Sequence, residues 1–99
     1  MLRHIILWQL KDEFTGAKRE SIKQGIKDGL ESLNGIIEGV EIRVHIKGLE
    51  SSTADVMLDA AVNESAFDSY ANHPEHKKVA VEKIRPFVKS KMVMDYITE

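Results

Sequence analysis

The sequence predicts a single α+β domain built around a four-stranded antiparallel sheet. Some segments show the period-two alternation of strands, and others repeat apolar residues every three or four positions, as helices do. These segments follow one another in the order strand, helix, strand, strand, helix, strand, which is the split βαβ or ferredoxin-like pattern. The length of 99 residues fits one domain over residues 1–99.

Composition indicates an ordinary globular domain and argues against several classes of protein. The chain is 42% hydrophobic and 30% charged, with 14 basic and 16 acidic side chains. A net charge of −2 provides no positive excess for nucleic acid or an anionic membrane, so neither partner is expected. The absence of cysteine excludes disulfides and thiol nucleophiles. The apolar opening segment is too short for a signal peptide or a membrane span, which makes a cytoplasmic location the expectation.

The first strand is predicted over residues 2–10, where large apolar residues predominate. A period of two divides the segment into two faces. One face carries Leu2, His4, Ile6, Trp8 and Leu10, and the other carries Arg3, Ile5, Leu7 and Gln9. Because both faces contain large apolar side chains, both are expected to be largely buried.

The first helix is predicted from the N-cap residue Thr15 to the Asn34-Gly35 pair, where Gly35 is expected to take a positive φ. Gly25 and Gly29 each lower helix propensity by about 1 kcal/mol relative to alanine. Close packing against the sheet, or space left beside it, is expected to compensate. The apolar residues at helical spacing are Ile22, Ile26, Leu30 and Leu33.

The next two strands are predicted over residues 40–47 and 54–62, joined by a loop rich in glycine and serine. In the second strand, apolar residues alternate with charged residues and a histidine, which indicates one buried and one polar face. The third strand alternates in the same way. Its predicted inward residues are Val56, Leu58, Ala60 and Val62.

The second helical region is predicted to consist of two segments. Asn63 is expected to cap the first, which ends near Asn72. Pro74 disfavours the α conformation at His73 and suits the first position of a new helix, predicted to run to about Arg85. The fourth strand is predicted within residues 87–97.

The predicted sheet offers more apolar positions than one layer of helices covers. An exposed apolar sheet face is an aggregation hazard unless a partner covers it. A second copy related by a two-fold axis is the simplest partner. We therefore expect a homodimer in which two sheets face each other.

The segment from Tyr70 to His76, Tyr-Ala-Asn-His-Pro-Glu-His, carries a resemblance to a known family. Together with the early His4 and the Asp95-Tyr96 pair near the end, it resembles the stress-responsive A/B barrel (Dabb) family. The resemblance extends over nearly the whole chain. It implies a ferredoxin-like subunit that forms a dimeric α+β barrel, in agreement with the element order and the expected homodimer.

The resemblance implies a less uniform set of functions. Many members have no established activity, and some plant members are stress-associated proteins that form dimers or larger assemblies. One plant branch consists of polyketide cyclases that perform an intramolecular aldol condensation. In that branch, the positions matching Tyr70 and His76 form the catalytic pair, and the position matching His4 lines the pocket.

This sequence departs from the cyclase branch in two places. Lys77 and Lys78 follow the motif where that branch has small or apolar residues, and the region of Gly25 and Gly29 lacks aromatic residues to enclose a polyketide tail. The acid/base residues are present while the substrate pocket differs, so polyketide cyclisation is not carried over.

The chemistry of the motif residues suits proton transfer. The imidazole of His76 titrates near neutral pH, and the first turn of a helix favours its neutral, proton-accepting form. The hydroxyl of Tyr70 can polarise a carbonyl oxygen or stabilise an enolate. The alternative interpretation is that the two residues join the helical segments by a hydrogen bond.

Other candidate residues have a structural and a functional interpretation each. His4, Ile6 and Trp8 share one strand face and form either the core or the wall of a pocket. His73 is expected to cap the following helix, and Asp95 either orients a histidine or closes an ion pair at the sheet end. His73 and His76 lack further ligands at suitable spacing, so neither a metal nor another cofactor is expected. The basic residues Lys77, Lys78, Lys83, Arg85, Lys89 and Lys91 are interpreted as a solvated surface.

Three functions are compatible with this sequence. The first, which we favour, is a non-catalytic stress-associated homodimer that binds a small apolar or aromatic ligand between helices and sheet. The second is an acid/base enzyme acting next to a carbonyl, an aldol-type cyclase or lyase that uses Tyr70 and His76. The third is a haem or quinol monooxygenase on the same barrel, for which this chain offers no more than a tryptophan and a histidine.

Overall fold

The computed structural model, which describes residues 1–98, confirms the predicted element order and the ferredoxin-like fold. The strands are β1 (Leu2–Leu10), β2 (Val40–His45), β3 (Val56–Val62) and β4 (Val88–Ile97). The helices are α1 (Gly16–Glu31), α2 (Phe67–Asn72) and α3 (Pro74–Val79), with short 3-10 turns at Ser32–Gly35 and Glu64–Ala66 and a π turn at Ala80–Ile84. None of the helices within residues 1–98 is long and apolar enough to cross a membrane.

The sheet has the strand order β2-β3-β1-β4, and every neighbouring pair is antiparallel. His4 of β1 lies opposite Asp95 of β4, and Trp8 lies opposite Lys91. Because residues paired across antiparallel strands share a face, Asp95 and Lys91 lie on the same side of the sheet as His4 and Trp8.

The helices cover the side of the sheet that carries Ile6, Trp8 and Leu10, as the alternation in the first strand predicts. Burying an isoleucine or leucine side chain contributes about 1.5–3 kcal/mol, so this layer supplies most of the stabilisation. The other buried residues of the core are Ile22, Ile26, Leu30, Leu33, Ile37, Ile42, Val44, Ile46, Val56, Leu58, Ala60, Val62, Tyr70 and Ile84.

The break between the helical segments follows the prediction at both caps. The Asn63 side chain accepts a hydrogen bond from the backbone N–H of Ser65, and Nδ1 of His73 accepts one from the N–H of Glu75 at 3.1 Å. Pro74 occupies the first turn of α3. The helix predicted to run to Arg85 is α-helical only as far as Val79. After Val79 the chain forms a π turn, in which the N–H of Arg85 donates a hydrogen bond to the C=O of Ala80 at 2.9 Å.

Several predicted boundaries and caps are wrong in detail. Gly35 does not take a positive φ, which occurs instead at Gly16 and Gly39. Thr15 occupies the N-cap position of α1, but its side chain makes no capping hydrogen bond. At Gly39 any side chain would also clash, since a Cβ there would lie 2.9 Å from the Ala66 Cβ. This close approach, which the sequence pattern did not indicate, explains the glycine.

The strands on either side of the 46–55 loop are each two residues shorter than predicted. β2 ends at His45 rather than Lys47, and β3 begins at Val56 rather than Ala54. Asp55 accounts for the second difference, because its N–H binds Trp8 O at 2.9 Å and its carboxylate accepts the N–H of Leu10 at 2.8 Å. These bonds tie the loop to β1 before β3 pairs with β2.

The two edges of the sheet differ in how they are covered. On β2, the Asn34 side chain accepts a hydrogen bond from the N–H of Ile42 and donates one to its C=O. At Val44, the Glu31 carboxylate accepts from the N–H and the Lys27 ammonium donates to the C=O. On β4, every residue from Lys89 to Ile97 is exposed. Side chains of α1 and the following turn therefore protect one edge against strand pairing, while the other edge stays open.

The sheet side away from the helices carries a group of apolar side chains that no element within residues 1–98 of a protomer covers. We name this group the bare face: Ile5 and Leu7 of β1, Met57 of β3, and Met92, Met94 and Tyr96 of β4. Met92 is 71% exposed and Met94 is 66% exposed. The expectation that both faces of β1 are largely buried therefore fails for a single protomer, in which Ile5 and Leu7 are half-buried.

Candidate functional site

Four ring side chains from three elements meet between the helices and β1. The ring centroids of Tyr70 and His76 lie 4.6 Å apart, and those of Tyr70 and His4 lie 6.0 Å apart. Phe67 packs edge-on against His4 at 5.8 Å. Tyr70 comes from α2, His76 from α3 and His4 from β1, so the break at Pro74 folds His76 back onto Tyr70.

The Tyr70 hydroxyl is fully buried and has no hydrogen-bond partner within residues 1–98. The hydrogen bond that the structural interpretation assigned to Tyr70 and His76 is therefore not formed, although their rings are in contact. Burial, reinforced by the Asp95 carboxylate, raises the pKa of Tyr70 to about 12. At neutral pH the phenol stays protonated and can donate a hydrogen bond.

His76 is half-buried, and its pKa is lowered from the ordinary value of 6.5. Burial is the main cause, because it penalises the charged imidazolium; His4 and His73 act in the same direction, while the Ala71 carbonyl opposes them. The residue lies in the first turn of α3, as predicted. The imidazole of His76 is therefore neutral near pH 7 and able to accept a proton.

Asp95 binds His4 through a hydrogen bond between its carboxylate and Nδ1 of the ring. The register explains this contact, because the two residues lie directly opposite each other on β1 and β4. The carboxylate fixes the orientation of the His4 ring, whose side chain is 12% exposed. Nε2 of His4 is left without a hydrogen-bond partner within residues 1–98.

A cavity of about 410 Å³ lies between the π turn, α1 and the helix side of β1 and β4. Three of the residues that the sequence singled out, Ile6, Trp8 and His76, line it. The remaining lining residues are Leu30, Leu58, Ala80, Ile84, Arg85, Val88, Lys89, Ser90 and Lys91. The inner wall is apolar, while Arg85 and residues 89–91 form an exposed mouth.

The other predicted site residues do not line this cavity. Tyr70 and His4 lie behind His76, Asp95 is held by His4, and His73 serves as the cap of α3. The sequence predicts a solvated surface for Arg85, Lys89 and Lys91, whereas in the structure they line the cavity. Their place at the mouth follows from the register of β4 and from the π turn, which no local sequence signal indicated.

Residues 1–98 contain no group of three or more histidine, aspartate or glutamate side chains arranged to hold a metal ion. Asp95 and His4 contact each other, but His76 contacts Tyr70 rather than a carboxylate. The side chains around the site can therefore donate and accept protons and enclose an apolar molecule.

The fold and this site define a ferredoxin-like α+β domain with a histidine-bearing cavity between helices and sheet. The sequence model of the family described as "Stress Responsive A/B Barrel Domain" (Dabb) matches residues 2–98. The chain belongs to this family, as the resemblance in residues 70–76 predicts. Among curated proteins, none matches the sequence.

Three solved structures illustrate the similarity in fold. A dimeric protein of unknown function with a ferredoxin-like fold from Bacteroides fragilis has 24% identity, covers 96% of this chain and 93% of its own, and has a TM-score of 0.85. A Dabb family protein with a ferredoxin-like fold from Mesorhizobium loti has 18% identity, covers 99% of this chain and 96% of its own, and has a TM-score of 0.73. A hydroxynitrile lyase from Passiflora edulis has 16% identity, covers 99% of this chain and 93% of its own, and has a TM-score of 0.75.

Proposed function

We propose that this protein is a homodimer in which each protomer binds a small apolar or aromatic molecule in the cavity between helices and sheet. The observation that carries the proposal is the cavity of about 410 Å³, whose inner wall is apolar and includes the neutral imidazole of His76. Ligand pockets typically have volumes of roughly 300–1,000 Å³ and a few polar groups on apolar walls. The cytoplasmic location expected from the sequence stays a prediction.

Two features support the proposed dimer. The bare face exposes Met92, Met94 and Tyr96 in a single protomer, and contiguous apolar surface of this kind marks an interface. The protected edge of β2 disfavours growth of the sheet on that side. A two-fold pairing of bare faces covers the apolar group, and the similar structure from Bacteroides fragilis is described as dimeric.

Contact quenching of tryptophan fluorescence tests ligand binding directly. Trp8 is the single tryptophan of the chain, lines the cavity and is 3% exposed. A heavy-atom quencher can reach it through the cavity or through a smaller pocket of about 310 Å³ beside Leu7 and Met92, and a substitution in the cavity wall tells the two routes apart. We expect 4-iodobenzyl alcohol, an uncharged aromatic probe, to quench Trp8 with a saturable dependence on concentration.

A pair of alanine substitutions provides the control. Ala80→Phe places a large side chain in the cavity wall and is expected to weaken quenching at least about fivefold, because it fills space that the probe needs. Ala17→Phe adds the same side chain to an exposed position of α1 and is expected to have no effect. Linear, non-saturable quenching, or equal quenching in Ala80→Phe and wild type, would refute cavity binding.

The second candidate is an acid/base enzyme acting next to a carbonyl. The specific observation in its favour is the buried Tyr70 hydroxyl, which lacks a partner beside the neutral His76. In this hypothesis, His76 removes a proton next to the carbonyl of a substrate in the cavity, and a movement of the His76 ring gives the enolate oxygen access to the buried Tyr70 hydroxyl, which donates a hydrogen bond to it. For a cyanohydrin, suggested by the hydroxynitrile lyase fold relative, His76 takes the hydroxyl proton while the carbon–cyanide bond breaks to give aldehyde and cyanide.

Benzaldehyde release from mandelonitrile and enolate proton exchange in acetophenone provide the two assays. The enzyme hypothesis predicts turnover above the background rate, with a loss of roughly 100-fold in His76→Ala and retained folding. Ser21→Ala serves as a control that removes an exposed hydroxyl of α1 outside the cavity and away from the bare face. The absence of turnover of both compounds, together with saturable quenching of Trp8, favours the ligand-binding protein.

A further inference from the structure

The cavity mouth carries a concentration of positive charge that the chain as a whole does not have. Arg85, Lys89 and Lys91 line the cavity, whereas no aspartate or glutamate among residues 1–98 does. In the whole chain acidic residues outnumber basic ones, 16 to 14. The cations at the mouth therefore stand out against a protein of slightly negative net charge.

Two of these three cations are not engaged by carboxylates of the protein. Nζ of Lys89 lies 2.8 Å from an oxygen of Asp12, which neutralises it. Arg85 and Lys91 make no salt bridge with any residue from 1 to 98. Both side chains are exposed and free to turn towards a bound anion.

The cations and the histidine group lie at different positions along β1 and β4. Lys91 is paired with Trp8, and Asp95, four residues further along β4, is paired with His4. Four residues of strand span roughly 13 Å. The apolar side chains of Ile6 and Leu58 line the cavity, so the site has a cationic end, an apolar wall and a histidine end.

We infer that the cavity selects an amphipathic carboxylate, with its apolar or aromatic body against Ile6 and Trp8 and its anionic group at the mouth between Arg85 and Lys91. This inference rests on the proposed ligand-binding function and specifies its ligand class. Arginine offers a planar fork that matches a carboxylate, and lysine adds a second positive charge. A neutral aromatic molecule makes the same apolar contacts without the attraction at the mouth.

A matched pair of probes separates anion selection from binding itself. The probes are 4-iodobenzoate and 4-iodobenzyl alcohol, which share the iodophenyl body and differ in charge, and both quench Trp8 by contact. We expect 4-iodobenzoate to bind about fivefold more tightly at low salt, since each of two solvent-exposed charge pairs contributes modestly to the affinity. Added salt is expected to reduce this preference without changing the binding of the alcohol.

Variants of the full chain assign the preference to the mouth. The double substitution Arg85→Gln and Lys91→Gln is expected to abolish the preference for the carboxylate while leaving alcohol binding within about twofold. The single substitution Lys91→Glu is expected to favour the alcohol. Lys78→Gln, which removes an exposed cation outside the cavity lining, is expected to change neither affinity.

The outcomes separate this inference from the function on which it rests. If the alcohol binds and the benzoate binds no more tightly, anion selection is wrong while cavity binding stands. If the benzoate preference persists in the double variant, the two cations do not cause it and the inference is overturned. If neither probe quenches Trp8 saturably, cavity binding is wrong and anion selection fails with it.

Discussion

The buried hydroxyl of Tyr70, which has no hydrogen-bond partner within residues 1–98, is expected to lower the free energy of unfolding. A buried polar group without a partner costs about 1–3 kcal/mol relative to a satisfied one. Tyr70→Phe keeps the ring between His4 and His76 and removes the hydroxyl. We expect the free energy of unfolding to increase by about 1 kcal/mol, measured by urea denaturation at fixed protomer concentration.

Ser21→Ala is the control, because it removes an exposed hydroxyl of α1 that makes no hydrogen bond within residues 1–98 and lies away from the bare face. Its unfolding free energy is expected to stay within about 0.5 kcal/mol of wild type. A loss of stability in Tyr70→Phe would contradict the account, because it would show that the hydroxyl has a partner in the folded protein. A gain in stability indicates that the hydroxyl is retained for another reason, such as contact with a ligand.

The lowered pKa of His76 links stability to pH. In the unfolded chain His76 binds a proton near pH 6.5, whereas in the folded protein it binds one only at lower pH. The neutral imidazole therefore contributes its full stabilisation above pH 6.5, and this stabilisation is lost as the pH falls through the pKa of the folded protein. We expect wild type to lose more stability than His76→Gln between pH of about 7.5 and about 5.5. Chemical denaturation at both pH values measures this, with His45→Gln, exposed on β2, as the control. Equal losses in wild type and His76→Gln would contradict the assignment.

The role or contact of a single site residue could be predicted where it depends on neighbouring residues in the sequence or on the family motif. The His73 cap follows from the proline after it, and the contact between Tyr70 and His76 follows from the family motif. Arg85 and Lys91 could not be assigned to the cavity. Their position depends on the strand register and on the π turn, which are set by packing between distant parts of the chain.

At the scale of the elements, the two glycines of α1 are in different environments. A Cβ at Gly29 would lie 3.1 Å from Cγ1 of Val79, whereas a Cβ at Gly25 would meet nothing within 4 Å. Gly29 therefore lets α1 approach α3 closely, and Gly25 carries the helix-propensity cost without this benefit.

Replacing each glycine by alanine tests this difference. Gly25→Ala is expected to stabilise the protein by about 0.5–1 kcal/mol through helix propensity alone. Gly29→Ala is expected to gain nothing or to destabilise, because the new methyl group crowds Val79. Thermal unfolding of the two variants side by side measures the difference. Equal stabilisation by both substitutions would show that the two helices do not approach as closely as described.

The elements themselves were largely predictable, because periodicity reports which face is buried. The alternation of residues 2–10 and the inward residues of β3 match the buried positions. The prediction that the two glycines pack closely against the sheet is wrong, since a Cβ at Gly29 would meet Val79 of α3. A Cβ at Gly25 would meet no atom of residues 1–98 within 4 Å, which is compatible with the alternative of open space. The bend at Gly39 depends on contacts with residues far along the sequence, and the local sequence pattern does not indicate these contacts.

For the whole molecule, the bare face is the feature that decides assembly. Met94 of β4 lies opposite Ile5 within this apolar face. In the proposed homodimer, Met94→Asp places an unpaired carboxylate at the interface in both copies, at about 1–3 kcal/mol each. We expect wild type to sediment as a dimer and the variant dimer to be weakened by about 100-fold.

Val81→Asp is the control for this experiment. Val81 is 52% exposed in the π turn, on the helix side of the sheet and away from the bare face. The same charge introduced there is expected to leave the dimer intact. A monomeric wild type, or a Met94→Asp variant with unchanged dimer affinity, would contradict pairing through the bare face.

NMR titration of the four histidines is the sharpest test of whether a small molecule enters the cavity beside a neutral His76. We predict that the pKa of His76 lies below 6.5 and that 4-iodobenzyl alcohol shifts the ring resonances of His76 but not those of exposed His45. A His76 that titrates at or above 6.5 and keeps its resonances unchanged at saturating probe would contradict both the neutral imidazole and the cavity as a binding site.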